Sequence, residues 1–192
     1  MNQKPVSDPH GLAKRPDWLA TFAGAPRLCE LSGPGTLIRL VQFEKTTYDG
    51  LQVRNSRREG SFWFAEELLV RVRSEAKLEL ARQAVKTPFR RPMAELVGNY
   101  MRHVLRDVLA VSKDWTNDFD GFLRMRLFPG DKLLALVGAV KRQPAYSETH
   151  PQHETVLAKS IWLEGLATQY VIDFSLPENK PYVQRIQGPQ EF

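Results

Sequence analysis

The clearest pattern in the chain is a helical one that begins at Pro92. Apolar residues recur there at intervals of three and four, so that they line one face of a helix while polar residues line the other. The apolar positions are Leu96, Val97, Tyr100, Met101, Val104, Leu105, Val108 and Leu109. Proline suits the first turn of a helix, and the pattern predicts an amphipathic helix over about residues 92–112.

A second helix is predicted just before it, over about residues 65–86. Glu66 and Glu67 fall in its first turn, where negative charge complements the helix dipole. Thr87-Pro88 ends it, because proline cannot continue the helical hydrogen-bond ladder. The stripe predicted to be buried consists of Leu69, Val72, Ala76 and Leu80.

Short apolar or alternating segments on both sides of the helix pair predict strands, because they are rich in β-branched and aromatic residues and are bounded by turn residues. These segments are 36–43, 60–64, 122–127, 133–140, 156–162, 168–174 and 182–186. The near-continuous apolar run at 133–140 is typical of a central strand, and 182–186 is expected at an edge. The order of elements predicts an α+β fold, with a mixed, mostly antiparallel sheet and two central helices.

A length of 192 residues fits one α+β domain, which we place at residues 18–187. The polar segment 1–17 is predicted to be a flexible N-terminal arm, and 188–192 a C-terminal tail. The beginning of the chain has no apolar segment typical of a signal peptide. The longest apolar run is far below the ~20 residues of a spanning helix, and the single cysteine, Cys29, forms no internal disulfide. We therefore expect a cytoplasmic protein without membrane association.

The net charge of +5 raises the question of an anionic partner. Arginines clustered in and around the two helices would suit phosphate, and they support an alternative function as a non-catalytic nucleic-acid-binding accessory protein. These arginines are Arg71, Arg73, Arg90, Arg91, Arg102 and Arg106. No recognition motif for nucleic acid accompanies them, so an ordinary solvated surface and a protein-partner-binding domain remain open readings.

Several common sites are excluded by their missing motifs. The chain contains no GxGxxG, no phosphate-binding GxxxxGK[ST] loop, no CxxC and no HExxH. His150 and His153 are three residues apart but flank Pro151 in a polar segment that predicts a loop, so we expect no metal site. Cys29 has no identifiable base that would make it a nucleophile.

One strand carries an arginine in an otherwise apolar row. Leu37, Arg39, Val41 and Phe43 share one face of the strand predicted at 36–43. A buried guanidinium needs an anion or a carboxylate nearby, unless its stem lets the charge reach water.

The segment Gly60-Ser61-Phe62-Trp63-Phe64 places a hydroxyl beside aromatic rings where a strand leads into a helix. The rings would provide a stacking surface for a planar ligand, and Ser61 could hydrogen-bond that ligand. The alternative for each of these aromatic residues is a place in the core.

On Arg39 and the segment 60–64, the chain resembles the ADP-ribosyltransferase fold of small bacterial NAD-consuming enzymes and toxins. In that family a first strand provides an NAD-binding arginine. A second strand begins with an aromatic segment that contains serine or tyrosine and leads into a helix, and a later strand provides a catalytic glutamate. The resemblance spans roughly residues 36–174 and implies that NAD is the substrate. It assigns NAD binding to Arg39, Ser61, Phe62 and Trp63.

The catalytic position has two candidates. Glu164 precedes the strand predicted at 168–174 and is the first choice, whereas Gln169 lies on the strand itself but carries no charge. With Glu164, the resemblance implies ADP-ribosyl transfer to a macromolecular target, and a toxin of this kind would have a cognate antitoxin. With Gln169, it implies NAD hydrolysis or NAD binding alone. A carboxylate would act by stabilising positive charge on the ribose as its bond to nicotinamide loosens.

Overall fold

The computed structural model describes residues 1–41, 44–45, 51–52, 60–86, 91–111, 121–145 and 162–192. Its helices are α1 (Pro16–Leu19), α2 (Glu66–Lys86) and α3 (Met93–Val108), with 3-10 helices at Leu12–Lys14 and Lys180–Arg185. The strands of the main sheet are β1 (Asn2–Pro5), β2 (Arg27–Ser32), β3 (Gly35–Val41), β6 (Phe62–Ala65), β7 (Gly121–Leu127), β8 (Leu133–Ala139), β11 (Thr168–Val171) and β12 (Ile186–Glu191). Two short pairs lie outside it: β4 (Glu44–Lys45) with β5 (Leu51–Gln52), and β9 (Gln143–Pro144) with β10 (Trp162–Leu163).

The main sheet has eight strands in the order β1-β2-β8-β11-β6-β3-β7-β12, and neighbouring strands are antiparallel. The α+β prediction is therefore confirmed, and so are the two long helices. The apolar run at 133–140 forms β8, which pairs on one side with β2 and on the other with β11, as expected of a central strand. The strand predicted at 156–162 falls largely outside the described residues.

The sheet is curled rather than flat, because Gly33 and Pro34 alone connect β2 to β3. Three strands separate β2 from β3 in the sheet, so in a flat sheet they would lie roughly 19 Å apart at the usual strand spacing. The chain from Ser32 to Gly35 reaches at most about 11 Å. A second short connection, 128–132, joins β7 to β8 beside the first one, and the Gly33 amide donates to the Phe128 carbonyl at 2.9 Å.

The concave side of the curled sheet is filled by apolar side chains from both halves. The largest fully buried ones include Leu31, Leu37, Trp63, Met125 and Leu133. One polar contact crosses this interior, where the amide nitrogen of Gln3 on β1 donates to the Tyr170 hydroxyl on β11 at 3.1 Å. Because two strands lie between β1 and β11, this contact also requires a curved sheet.

Residues 172–186 close the concave side, and here the predicted edge strand at 182–186 is wrong. Lys180–Arg185 is a 3-10 helix with Pro181 near its start. Asn179, which is fully buried, holds this helix against β8: its side chain accepts from the Leu134 amide at 2.8 Å and donates to the Leu134 carbonyl at 2.9 Å. The Asn179 side chain thus satisfies both backbone groups of Leu134 at the point where a strand would otherwise pair.

Helices α2 and α3 cover one half of the convex side. They pack on β3, β6 and β7 through Ile38, Phe64 and Phe122. The stripe predicted to be buried on α2 is confirmed, since Leu69, Val72, Ala76 and Leu80 are all buried. On α3 the buried apolar positions are Val97, Met101 and Leu105.

The N-terminal segment covers the other half of the convex side. Leu12, Trp18 and Phe22 form a cluster with residues of β2, β8 and β11, and Asn2–Pro5 pairs with β2 as the edge strand β1. Residues 1–17 therefore differ from the flexible arm that their polar composition suggested. The predicted tail at 188–192 differs in the same way, because β12 extends to Glu191 and the Phe192 ring packs 5.9 Å from that of Phe122.

Truncating Leu12 should destabilise the whole fold. Leu12 is only 2% exposed, and removing a buried leucine side chain costs about 2–5 kcal/mol. We expect Leu12→Ala to lower the free energy of unfolding by that amount in urea denaturation followed by circular dichroism. The matched control is Leu78→Ala on α2, where the leucine is 61% exposed and the change should stay within about 0.5 kcal/mol. Equal stabilities for the two variants would mean that residues 1–17 are not part of the core.

Candidate functional site

Arg39 lies half-buried on the concave side of β3, between the buried side chains of Leu37 and Val41, as the alternation predicts. Its Nη1 donates to the Phe62 carbonyl on β6 at 3.2 Å. The guanidinium packs directly on Gly60 and occupies the space that a Cβ would need there. A glycine at position 60 is therefore what lets Arg39 lie flat against the start of β6.

Ser61 directly precedes β6, between Gly60 and Phe62, the two residues that Arg39 contacts. Its carbonyl accepts the Ile172 amide at 2.8 Å, just beyond the end of β11. Both Ser61 and the neighbouring Gly60 are half-buried. Arg39 and Ser61 therefore lie close together in the fold.

The aromatic residues of this segment do not form an exposed stacking surface. Trp63 is fully buried on the concave side, where its Nε1 donates to the Gly60 carbonyl at 2.8 Å and its ring meets Phe174 edge-on at 6.0 Å. Phe62 points to the convex side and packs with the cluster that contains Leu12, Trp18 and Phe22. Trp63 is a core residue, and Phe62 lies on the other side of the sheet from Arg39.

Gln169 also lies on the convex side. It is 3% exposed, and its amide nitrogen donates to the Thr21 hydroxyl at 2.6 Å. Its register partner on β6 is Phe64, which packs against the helices. The sheet therefore separates Gln169 from Arg39.

Glu164 lies in the exposed turn between β10 and β11. Its amide donates to a carboxylate oxygen of Asp107 on α3 at 3.0 Å, and its own carboxylate pairs with Arg142 at 3.3 Å. Because α3 packs on the convex side, Glu164 does not face Arg39 either. The two candidates for the catalytic position and the two NAD-binding candidates Arg39 and Ser61 do not form one cleft.

The order of strands in the sheet shows which candidate-bearing segments are neighbours, which could not be predicted from the sequence. The strands that carry Arg39, Ser61 and Gln169 are β3, the beginning of β6, and β11, and they are direct neighbours in the order β11-β6-β3. Only the pairing of distant segments reveals this adjacency.

The remaining candidates have structural roles or lie outside the described residues. His150 and His153 are among the latter. Within the described part of the chain, no group of three or more His, Cys, Asp or Glu side chains is arranged to hold a metal ion. The same ranges contain no helix with both the length and the apolar character needed to cross a membrane.

The arginines proposed to bind nucleic acid from the helices are largely engaged locally. Arg71 pairs with Glu75 at 3.9 Å, and Arg91 with Glu95 at 3.0 Å. Arg106 was expected on the polar face but is buried and donates to the Val111 carbonyl at 3.1 Å. Arg90 lies outside the described residues. At least three of the six predicted arginines thus have partners nearby in the chain.

Comparisons with protein-family models, with curated proteins and with solved structures find no match for this chain.

Replacing Gly60 by alanine should disturb Arg39 specifically. The added methyl group would displace the guanidinium from Gly60 and break its bond to the Phe62 carbonyl, and a typical hydrogen bond contributes about 0.5–1.5 kcal/mol. We expect Gly60→Ala to lower the free energy of unfolding by that amount, and to cost much less in an Arg39→Ala background, where the space is free. Gly24→Ala is the control, because nothing lies within 4 Å of a Cβ added there. An equal cost with and without Arg39 would contradict the contact.

Cys29 should be unreactive in the folded protein. The thiol is 1% exposed, and burial raises its pKa, although the nearby positive charge of Arg27 acts in the opposite direction. Since the thiolate is the reactive form, we expect labelling by Ellman's reagent near pH 8 to follow unfolding. Fast, stoichiometric labelling of the native protein would disprove this.

Proposed function

We propose that this protein binds NAD, as an ADP-ribosyltransferase-like protein, at the margin of the concave core, where β3 ends beside the start of β6 and Arg39, Gly60 and Ser61 are half-buried. Arg39 would hold the pyrophosphate, and Ser61 would contact the ligand beside it. The observation that carries the proposal is the contact of Arg39 with Gly60 and Phe62, because it brings the two NAD-binding positions of the resemblance, Arg39 and Ser61, close together.

The placement of Arg39 suits a pyrophosphate. A guanidinium carries five N–H donors in a planar fork that matches phosphate oxygens. The contacts with the Phe62 carbonyl and with Gly60 hold the side chain in one orientation before any ligand arrives. Such preorganisation reduces the entropy lost on binding.

The proposal assigns no catalytic role to Glu164 or Gln169. Loosening the bond between nicotinamide and ribose requires negative charge close to the developing oxocarbenium ion. Glu164 is paired with Arg142 on the helix side, and the uncharged amide of Gln169 is engaged with Thr21. Neither group shares the concave side with Arg39. Arg39 and Ser61 therefore correspond to the ligand-holding half of the family's site, and neither Glu164 nor Gln169 supplies its catalytic half.

NAD binding should depend on Arg39. Loss of a charge-assisted hydrogen bond to phosphate costs about 1.5–3 kcal/mol, which corresponds to roughly 10- to 150-fold weaker binding. We expect isothermal titration calorimetry to show NAD binding to the unmodified protein and at least a tenfold loss in Arg39→Ala. Ser61→Ala should weaken binding less. The control is Arg82→Ala on α2, whose side chain is 77% exposed and paired with Glu79, and it should bind NAD normally.

Two results decide against the proposal. One is the absence of any NAD binding by the folded protein. The other is equal NAD affinity in Arg39→Ala and Arg82→Ala, with both variants shown to be folded by circular dichroism. Release of nicotinamide that persists in Glu164→Ala and Gln169→Ala would place the catalytic carboxylate elsewhere in the chain while leaving the binding proposal intact.

A further inference from the structure

Arginine and phenylalanine side chains are interspersed in a row that follows the convex side of β7, with α3 and the C-terminus at one end and the turn after β7 at the other. We call this the arginine–phenylalanine row. Its members are Arg102, Phe192, Phe122, Arg124, Arg126, Phe128 and Arg185. Within it, guanidinium carbons lie 5.1 to 6.0 Å from the centres of neighbouring phenylalanine rings, within cation–π distance.

Phe128 is the exposed end of the row, and its backbone is rigidly held. Its ring is 49% exposed. Its amide donates to the Asp131 carboxylate at 2.7 Å, and its carbonyl accepts from the amides of Gly33 at 2.9 Å and Asp131 at 3.1 Å. A large apolar ring is therefore presented to solvent from a turn that is fixed on two sides.

Two arginines flank the Phe128 ring. Arg185 lies 5.5 Å from its centre and is held by Asp131, 2.5 Å away, and by the Tyr182 ring at 4.9 Å. Arg126 lies 6.0 Å from the ring and is exposed, and no described acidic side chain forms an ion pair with it. Arg124, further along the row, pairs with Glu66 at 2.5 Å, and Arg185 pairs with Asp131 at the same distance, so Arg126 contributes most of the charge and Arg185 contributes its remaining N–H donors.

We propose that Phe128, Arg126 and Arg185 form a binding site for single-stranded nucleic acid. A base would stack on the exposed face of Phe128, and the two guanidinium groups would contact the adjoining phosphates. An unpaired strand offers both a planar ring and regularly spaced negative charge, which is the combination that this site matches. An acidic peptide would supply only the charge, and a duplex hides its base faces within the stack.

This site is independent of the proposed NAD site. Arg39 is paired with Leu123 on β7, whereas Phe128 lies past the far end of that strand and Arg126 alternates with the concave-side residues Met125 and Leu127. Failure of either proposal therefore leaves the other standing.

The test is fluorescence anisotropy of the full chain with labelled oligothymidine and oligouridine at about 50 and 200 mM salt. We expect binding that weakens as salt increases. Phe128→Ala should reduce affinity roughly tenfold, because base–aromatic stacking is lost, and Phe128→Tyr should retain binding. Arg126→Ala should make the slope of log affinity against log salt shallower by about 0.7, the value for one phosphate contact on a single strand.

Two exposed side chains on α2, away from the proposed site, provide matched controls. Leu78→Ala and Arg82→Ala remove an exposed apolar and an exposed basic side chain from α2, and both should bind like the unmodified protein. Circular dichroism establishes that each variant is folded. The proposal fails if the protein shows no binding at low salt, or if folded Phe128→Ala binds normally. It also fails if a duplex of the same length binds as tightly, or if polyglutamate competes as well as oligothymidine.

Discussion

The short link between β2 and β3 is the constraint on which the rest of the structure depends. Gly33 and Pro34 must bring together two strands that have three others between them. Only a strongly curled sheet satisfies this requirement. Position 33 requires glycine, because a Cβ there would collide with the backbone of Leu127 and Phe128. The curl divides every strand into a concave row that forms one core and a convex row that needs separate cover.

The cover of the convex side explains why both chain ends are structural. The two long helices bury Ile38, Phe64 and Phe122, but they leave the β2-β8-β11 half to other segments. Leu12, Trp18 and Phe22 fill that half, and the contact of Arg15 with Asp173 at 3.1 Å attaches the segment to the loop after β11. Buried polar groups on this side are satisfied across long separations in sequence, as in the bond between Gln169 and Thr21. A convex side without this cover would expose an apolar surface to water.

What the sequence could predict follows from how local each signal is. The buried stripe of α2 and the apolar face of α3 repeat every three or four residues, so periodicity alone located them. The position of Arg39 in an apolar row followed from strand alternation. The role of residues 1–22 could not be predicted, because Leu12, Trp18 and Phe22 are spaced irregularly and carry no period. Asn179 could not be assigned either, since its partner Leu134 is 45 residues away in the chain.

The positions of the candidate site residues also depend on contacts between distant parts of the chain. Residue types suggested that Trp63 and Gln169 could face a ligand, but only the pairing register decides which side of the sheet each residue occupies. A shift of one residue would have exchanged their sides. Arg39 and Ser61 lie close together because β3 pairs directly with β6. Glu164 lies on the helix side, where its amide is bound to the Asp107 carboxylate. The residue types thus suggested which side chains could contact a ligand, but they did not indicate which of those side chains lie on the same side of the sheet.

The curl also links the architecture to the exposed arginine and phenylalanine side chains. The amide of Gly33, in the link that forces the sheet to bend, donates to the carbonyl of Phe128. The same carbonyl also accepts the Asp131 amide, and the Asp131 carboxylate binds both the Phe128 amide and the Arg185 guanidinium. The hydrogen bonds that join the two short connections therefore also fix an apolar ring and a neighbouring cation at the surface. The net charge of +5 says little about where an anion would bind. Arg71, Arg82 and Arg91 pair with glutamates three or four residues away, whereas the arginines beside the Phe128 ring are the ones that we propose to contact an anionic partner.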